Sequence, residues 1–93
     1  MIVINEKAIE DFIKSHARAK SSLNKWLTGV KAATWKTSIE VVDNYPKAEC
    51  VNGLWIFNIA GNNYRLTAYI RFPKQELIIV KVMTHAEYDK EKY

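Results

Sequence analysis

The chain contains two histidines, His16 and His85, and one cysteine, Cys50, so few of its side chains can exchange protons or ligate metals near neutral pH. Two distant histidines without clustered Asp, Glu or Cys make a poor zinc site, and a lone cysteine excludes an intramolecular disulfide or a multi-cysteine centre. Neither a metal nor a cofactor is expected. The cationic residues are better placed. If residues 54–59 and 64–72 form a hairpin with a four-residue loop at 60–63, Asn58 lies opposite Arg65, and strand alternation puts Arg65, Thr67, Tyr69 and Arg71 on one face. The other face takes Tyr64, Leu66, Ala68, Ile70 and Phe72, joined by Trp55 and Phe57. A five-residue loop over 72–76 then sets Thr67 against Lys81 and Arg65 against Met83, placing Lys81 and His85 on the polar side and Ile78, Val80 and Val82 in the core. A four-residue loop would invert that strand. The five-residue register is preferred because it keeps the Lys81 ammonium out of an apolar interior. The expected result is a wet, concave face bearing Asn58, Arg65, Tyr69, Arg71, Lys81 and His85, with no acidic side chain among them. Such a surface suits phosphate.

The elements that must position these residues follow from composition and periodicity. With 93 residues, 48% hydrophobic and 26% charged, the chain supports one ordered core, so a single domain over 1–93 is expected. Residues 1–4 are an apolar run suited to a strand, and Asn5 is a candidate N-cap. Ile9, Phe12 and Ile13 recur at helical spacing within 6–15, and Ala19, Leu23, Trp26, Leu27 and Val30 do so after His16. Two amphipathic helices follow, expected as an antiparallel hairpin covering one face of a sheet. Residues 34–53 break both periodicities and read as an ordered loop, with turn chemistry at Asp43-Asn44-Tyr45-Pro46 and at Asn52-Gly53. Residues 54–59, 64–72 and 77–84 are rich in β-branched and aromatic side chains and read as a three-stranded antiparallel meander. The expected fold class is α+β: a strand, a two-helix hairpin, then the meander.

Charge adds a partner class. The 14 Lys and Arg outnumber the 10 Asp and Glu, giving +4. Between Asp11 and Glu40 the chain carries Lys14, Arg18, Lys20, Lys25, Lys31 and Lys36 and no acidic residue, which favours a polyanion, although a solvated helix face has the same appearance. No apolar run approaches the roughly 20 residues that a membrane span needs, and the N-terminal residues lack the pattern of a signal peptide. A cytoplasmic protein without a membrane partner is expected.

Thr84-His85-Ala86-Glu87 is a capping box, which explains Thr84 and Glu87 structurally but leaves His85 and Tyr88 unassigned. Together with Trp26, Ala33 and Trp35, the blocks Phe57-Asn58-Ile59-Ala60-Gly61-Asn62-Asn63-Tyr64-Arg65-Leu66 and Thr84-His85-Ala86-Glu87-Tyr88-Asp89-Lys90 resemble the HigB-type toxins of bacterial toxin–antitoxin pairs. The resemblance spans nearly the whole chain. It implies a RelE/ParE-like fold and an mRNA interferase, an endoribonuclease that halts translation, commonly on ribosome-bound mRNA. It also implies a cognate helix-turn-helix antitoxin (HigA-like) that neutralises the toxin and links it to operator DNA only indirectly.

Metal-independent RNA cleavage uses the neighbouring 2′-hydroxyl as nucleophile and needs a proton acceptor, a proton donor to the leaving 5′-oxygen, and cations at the phosphorane. The expected catalytic set is Arg65 on the scissile phosphate, His85 as general acid or base, Tyr88 as donor or stacking platform, and Lys81 as second cation. Arg71, Tyr69 and Asn58 are expected to bind RNA; Asn58 and Asn62 also read as hairpin residues, Asn62 as the one supplying positive φ. Trp26, Trp35, Trp55 and Phe57 read as core or loop anchors. Two other readings share the architecture or the charge: a non-catalytic ParE-like inhibitor of gyrase, and a plain nucleic-acid-binding module.

Overall fold

The computed structural model describes residues 1–91. In chain order the elements are β1 (Ile2–Ile4), α1 (Lys7–Ser15), α2 (Lys20–Ala32), α3 (Ser38–Asn44), β2 (Glu49–Val51), β3 (Leu54–Ile59), β4 (Tyr64–Arg71), β5 (Glu76–Thr84) and α4 (His85–Lys90). Single 3-10 turns stand at Ala17–Ala19 and Phe72–Lys74. The α+β class holds. The meander, however, is the centre of a five-stranded mixed sheet ordered β1-β5-β4-β3-β2, in which β1 runs parallel to β5. The two main helices are not chiefly paired with each other: α1 packs on β5, and α2 packs on β1 and β3. No described helix is long and apolar enough to cross a membrane.

The segment expected to be an ordered loop at 34–53 contains both α3 and β2. Thr37 and Glu40 form a capping box that starts α3, since Glu40 accepts from the backbone N–H groups of Lys36 and Thr37. Asn52 and Gly53 both take positive φ, 52° and 85°, which suits a two-residue hairpin loop and folds β2 back on β3 with Val51 opposite Leu54. Asn5 does not cap α1. Its φ is 71°, its Nδ2 donates to the carbonyl of Ile79 at 3.0 Å, and Glu6 takes the cap position, because the chain must turn sharply from β1 into α1.

The hairpin between β3 and β4 has the expected register, with Ile59 opposite Tyr64 and Asn58 opposite Arg65. The next hairpin meets the expectation by another route. Arg71 pairs with Glu76 across a four-residue loop, and an irregularity between Thr67 and Ala68 then skips Val80, so that Thr67 faces Lys81 and Arg65 faces Met83. This behaves as a β-bulge: one extra residue moves the pairing by one and exchanges the two faces. Below it Leu77 and Ile79 enter the core in place of Ile78 and Val80; above it Val82 is buried as expected, and Val80 is left exposed.

Trp26, Trp35, Trp55 and Phe57 are all buried between helices and sheet. Tyr45 packs edge-on against both Trp35 and Phe57, and its hydroxyl points to the Trp26 carbonyl. Burial pushes the Tyr45 phenol above its ordinary titration range, so it stays a neutral donor. Gly29, on the exposed side of α2, is required by this packing: a Cβ there would lie 2.8 Å from the Tyr45 hydroxyl. In an open helix Gly to Ala gains about 1 kcal/mol. Here Gly29→Ala is expected to destabilise the protein by about 1–2 kcal/mol through overpacking, and in a Tyr45→Phe background the same change should raise the melting temperature instead. Thermal denaturation of the four proteins checks this.

Candidate active site

The face of the sheet opposite α1 and α2 was expected to be wet, and around Arg65 it is not. Arg65 is 7% exposed and Thr67 1%, and Ile56 and Met83 are buried beside them. The reason is α4, which folds back from the end of β5 and packs against β4 and β5. The Thr84–Glu87 capping box holds this reversal: the Glu87 backbone N–H donates to the Thr84 hydroxyl and the Thr84 N–H donates to the Glu87 carboxylate, both at 3.1 Å. The Thr84 N–H and then the Thr84 hydroxyl hold the Glu87 carboxyl below the usual glutamate range, with smaller help from His16 and Lys81.

Tyr88, on the next turn of α4, brings its ring over Arg65, with the guanidinium carbon 5.3 Å from the ring centroid, a cation–π contact worth roughly 0.5–2 kcal/mol. The rest of the guanidinium is held by the hairpin that precedes it. Nη1 donates to the carbonyls of Tyr64 (3.0 Å) and Asn62 (3.3 Å), and Nη2 donates to the Asn62 side-chain oxygen. Asn62 is therefore not the positive-φ residue of the loop; Ala60 and Gly61 take that conformation, at 53° and 65°. All these acceptors are neutral, and among the described residues no carboxylate pairs with Arg65. A cation buried on neutral dipoles keeps its charge available to an incoming anion.

Arg65, Asn58 and Tyr88 meet in one pocket of about 390 Å³, which Lys47, Glu49 and Ile56 also line. Lys47 and Glu49 were missed because their segment read as loop; the Asn-Gly turn at 52–53 was the signal that could have placed it beside β3. The other candidates lie outside this pocket. His85 opens α4, one turn before Tyr88, and its Nδ1 sits 3.0 Å from the Asp89 carboxylate. Lys81 is paired with Glu91 at the end of α4. Tyr69 and Arg71 lie four and six residues along β4 from Arg65, roughly 13 and 20 Å away, and Arg71 is 3.7 Å from Glu76. The expectation of a face without acidic side chains fails: Arg71, Lys81 and His85 each lie within 4 Å of a carboxylate, and Glu49 lines the Arg65 pocket, although among the described residues it forms no ion pair with the guanidinium.

A family profile described as HigB_toxin, the RelE-like toxic component of a toxin–antitoxin system, matches residues 19–91. The chain belongs to this family. Similar curated proteins are the mRNA interferase toxin HigB of Escherichia coli K12 and the mRNA interferase HigB of Shigella flexneri, each 30% identical over 96% of this chain and 88% of the relative. The mRNA interferase HigB of Escherichia coli O6:H1 is 25% identical over 97% of this chain and 90% of its own length. This HigB-family chain thus carries Arg65 and Tyr88 within the matched segment.

Two expectations follow. Asn62→Ala should lower stability by about 1–3 kcal/mol by leaving the guanidinium underbonded, whereas Asn62→Asp should restore stability but neutralise the site, so that inorganic phosphate raises the melting temperature of the wild type and not of the Asp variant. Second, Glu87 has a folded-state pKa below its ordinary 4.5, so its contribution is complete above that value and is lost as pH falls through the folded-state value. Hydrogen exchange of the α4 amides should therefore accelerate, beyond its intrinsic pH dependence, on acidification from pH 6 to 3.5 in the wild type, and much less in Glu87→Gln, which keeps a capping side chain that does not titrate.

Proposed function

We propose that this toxin is an endoribonuclease that cleaves mRNA at the Arg65 pocket. The observation that carries the reading is the buried guanidinium of Arg65, oriented by neutral acceptors and open to an anion beside Tyr88. Relatives covering almost the same length are named mRNA interferases, which supports it. In the proposed reaction the 2′-oxygen of a ribose attacks the adjacent phosphorus as its proton leaves to a base. The bond from phosphorus to the 5′-oxygen then breaks, and that oxygen takes a proton from an acid, giving a 2′,3′-cyclic phosphate and a free 5′-hydroxyl. Arg65 holds the phosphate and stabilises the charge that grows on its oxygens.

His85 serves as general acid or base. With Nδ1 held by Asp89, Nε2 is the nitrogen left to give or take the proton. Tyr88 fixes the guanidinium and presents its hydroxyl or ring to the nucleotide. Lys47, in the pocket wall, acts as a cation nearer the phosphate, and Lys81 contributes once RNA draws it from Glu91. Asn58 binds RNA at the pocket, and Tyr69 and Arg71 contact it farther along β4. The substrate is mRNA on the ribosome in the cytoplasm, and a HigA-like helix-turn-helix antitoxin neutralises the toxin and carries any contact with operator DNA.

Mapping of 5′ ends after brief induction tests this. The wild type should create discrete new ends in cellular mRNA. Arg65→Ala should reduce cleavage by about 10²–10³ and His85→Gln by about 10²–10⁴, with circular dichroism unchanged. Persistent toxicity without new ends, or cleavage that survives loss of Arg65, overturns the assignment.

A further inference from the structure

Between α2 and the β3–β4 hairpin lies a second, larger pocket of about 770 Å³, within the range of small-ligand sites. Resting on the cleavage reading above, we propose that it binds the base of an RNA nucleotide flanking the one held at Arg65, with Lys25 on that nucleotide's phosphate. Asn58 lines both pockets, and between them a third hollow of about 290 Å³ runs past Tyr45 and Lys47 and is again lined by Asn58. The three form one path. It follows an open strand edge: β2 pairs only with residues 54–56, so among the described residues Phe57, Asn58 and Ile59 have no strand partner on that side. Unpaired backbone groups of this kind bond readily to polar atoms of a single strand.

The walls suit a base. Trp26 and Tyr45 supply aromatic surface, and Asn24 and Ser22 supply hydrogen-bonding groups at the rim. Trp26 is 4% exposed, and its indole N–H is buried with no acceptor among the described residues. The charge also fits. Of the basic run between Asp11 and Glu40, Lys14 and Lys31 face Asp11 and Glu6, whereas Lys25 lines the pocket with no carboxylate partner among the described residues. The run thereby gains a specific use beyond general attraction.

The test measures binding of a fluorescent five-nucleotide RNA carrying 2′-O-methyl groups, which cannot be cleaved, to the full-length protein. Lys25→Glu should weaken it about 10-fold, the scale of one stacked base and its phosphate, and Thr28→Leu, which narrows the pocket mouth from an exposed position on α2, should weaken it about 5-fold. Each loss should recur in the Arg65→Ala background, since the pocket is a separate subsite. Lys7→Glu, on α1, controls for net charge and should change affinity less than 2-fold. Unchanged binding in the Lys25 and Thr28 variants, or an equal loss in the Lys7 control, overturns the subsite. Failure of the cleavage reading shows separately, as wild-type protein that leaves natural RNA intact.

Discussion

The site depends on a guanidinium taken out of water without a carboxylate in direct contact among the described residues. Arg65 is anchored by two backbone carbonyls and one amide oxygen of its own hairpin, and a phenol ring covers it. A carboxylate in place of Asn62 would hold the side chain as firmly and would also cancel its field. Neutral acceptors orient the group and leave the attraction for an anion to satisfy. That distinction separates Arg65 from Arg71, Lys81 and His85, each of which has a carboxylate oxygen within 4 Å.

Placing that cation requires three devices to agree. The β3–β4 loop sets Asn62 at the right distance, with Ala60 and Gly61 absorbing the left-handed turn. The irregularity at Val80 keeps Arg65 and Thr67 opposite Met83 and Lys81 although the loop below is one residue short for that register. The capping box at Thr84 then reverses the chain so that α4 returns over the sheet and delivers Tyr88. A slip in any of them would turn a side chain to the wrong face or leave the guanidinium in solvent, where it would bind anions weakly.

The parts of this architecture that were legible in the sequence are those governed by neighbours in the chain. The β3 limits, the four-residue loop, the pairing of Asn58 with Arg65 and the capping box at Thr84 all rest on alternation or on contacts within a few residues. The segment at 34–53 was misread for a different reason. Its helix and strand are each too short for periodicity to register, although Thr37 with Glu40 and Asn52 with Gly53 mark them locally.

By itself, the sequence determined the α+β class, the set of cations and the residues by which the chain is similar to HigB-type toxins. Tertiary structure alone decided which cations share a pocket. Strand alternation assigns a face but says nothing of what covers that face, and a helix of six residues at the end of β5 turned a wet surface into a partly buried one. Long-range pairing likewise brought Lys47 and Glu49 beside Arg65, because a strand edge selects its partner by hydrogen bonds and burial that no local pattern encodes.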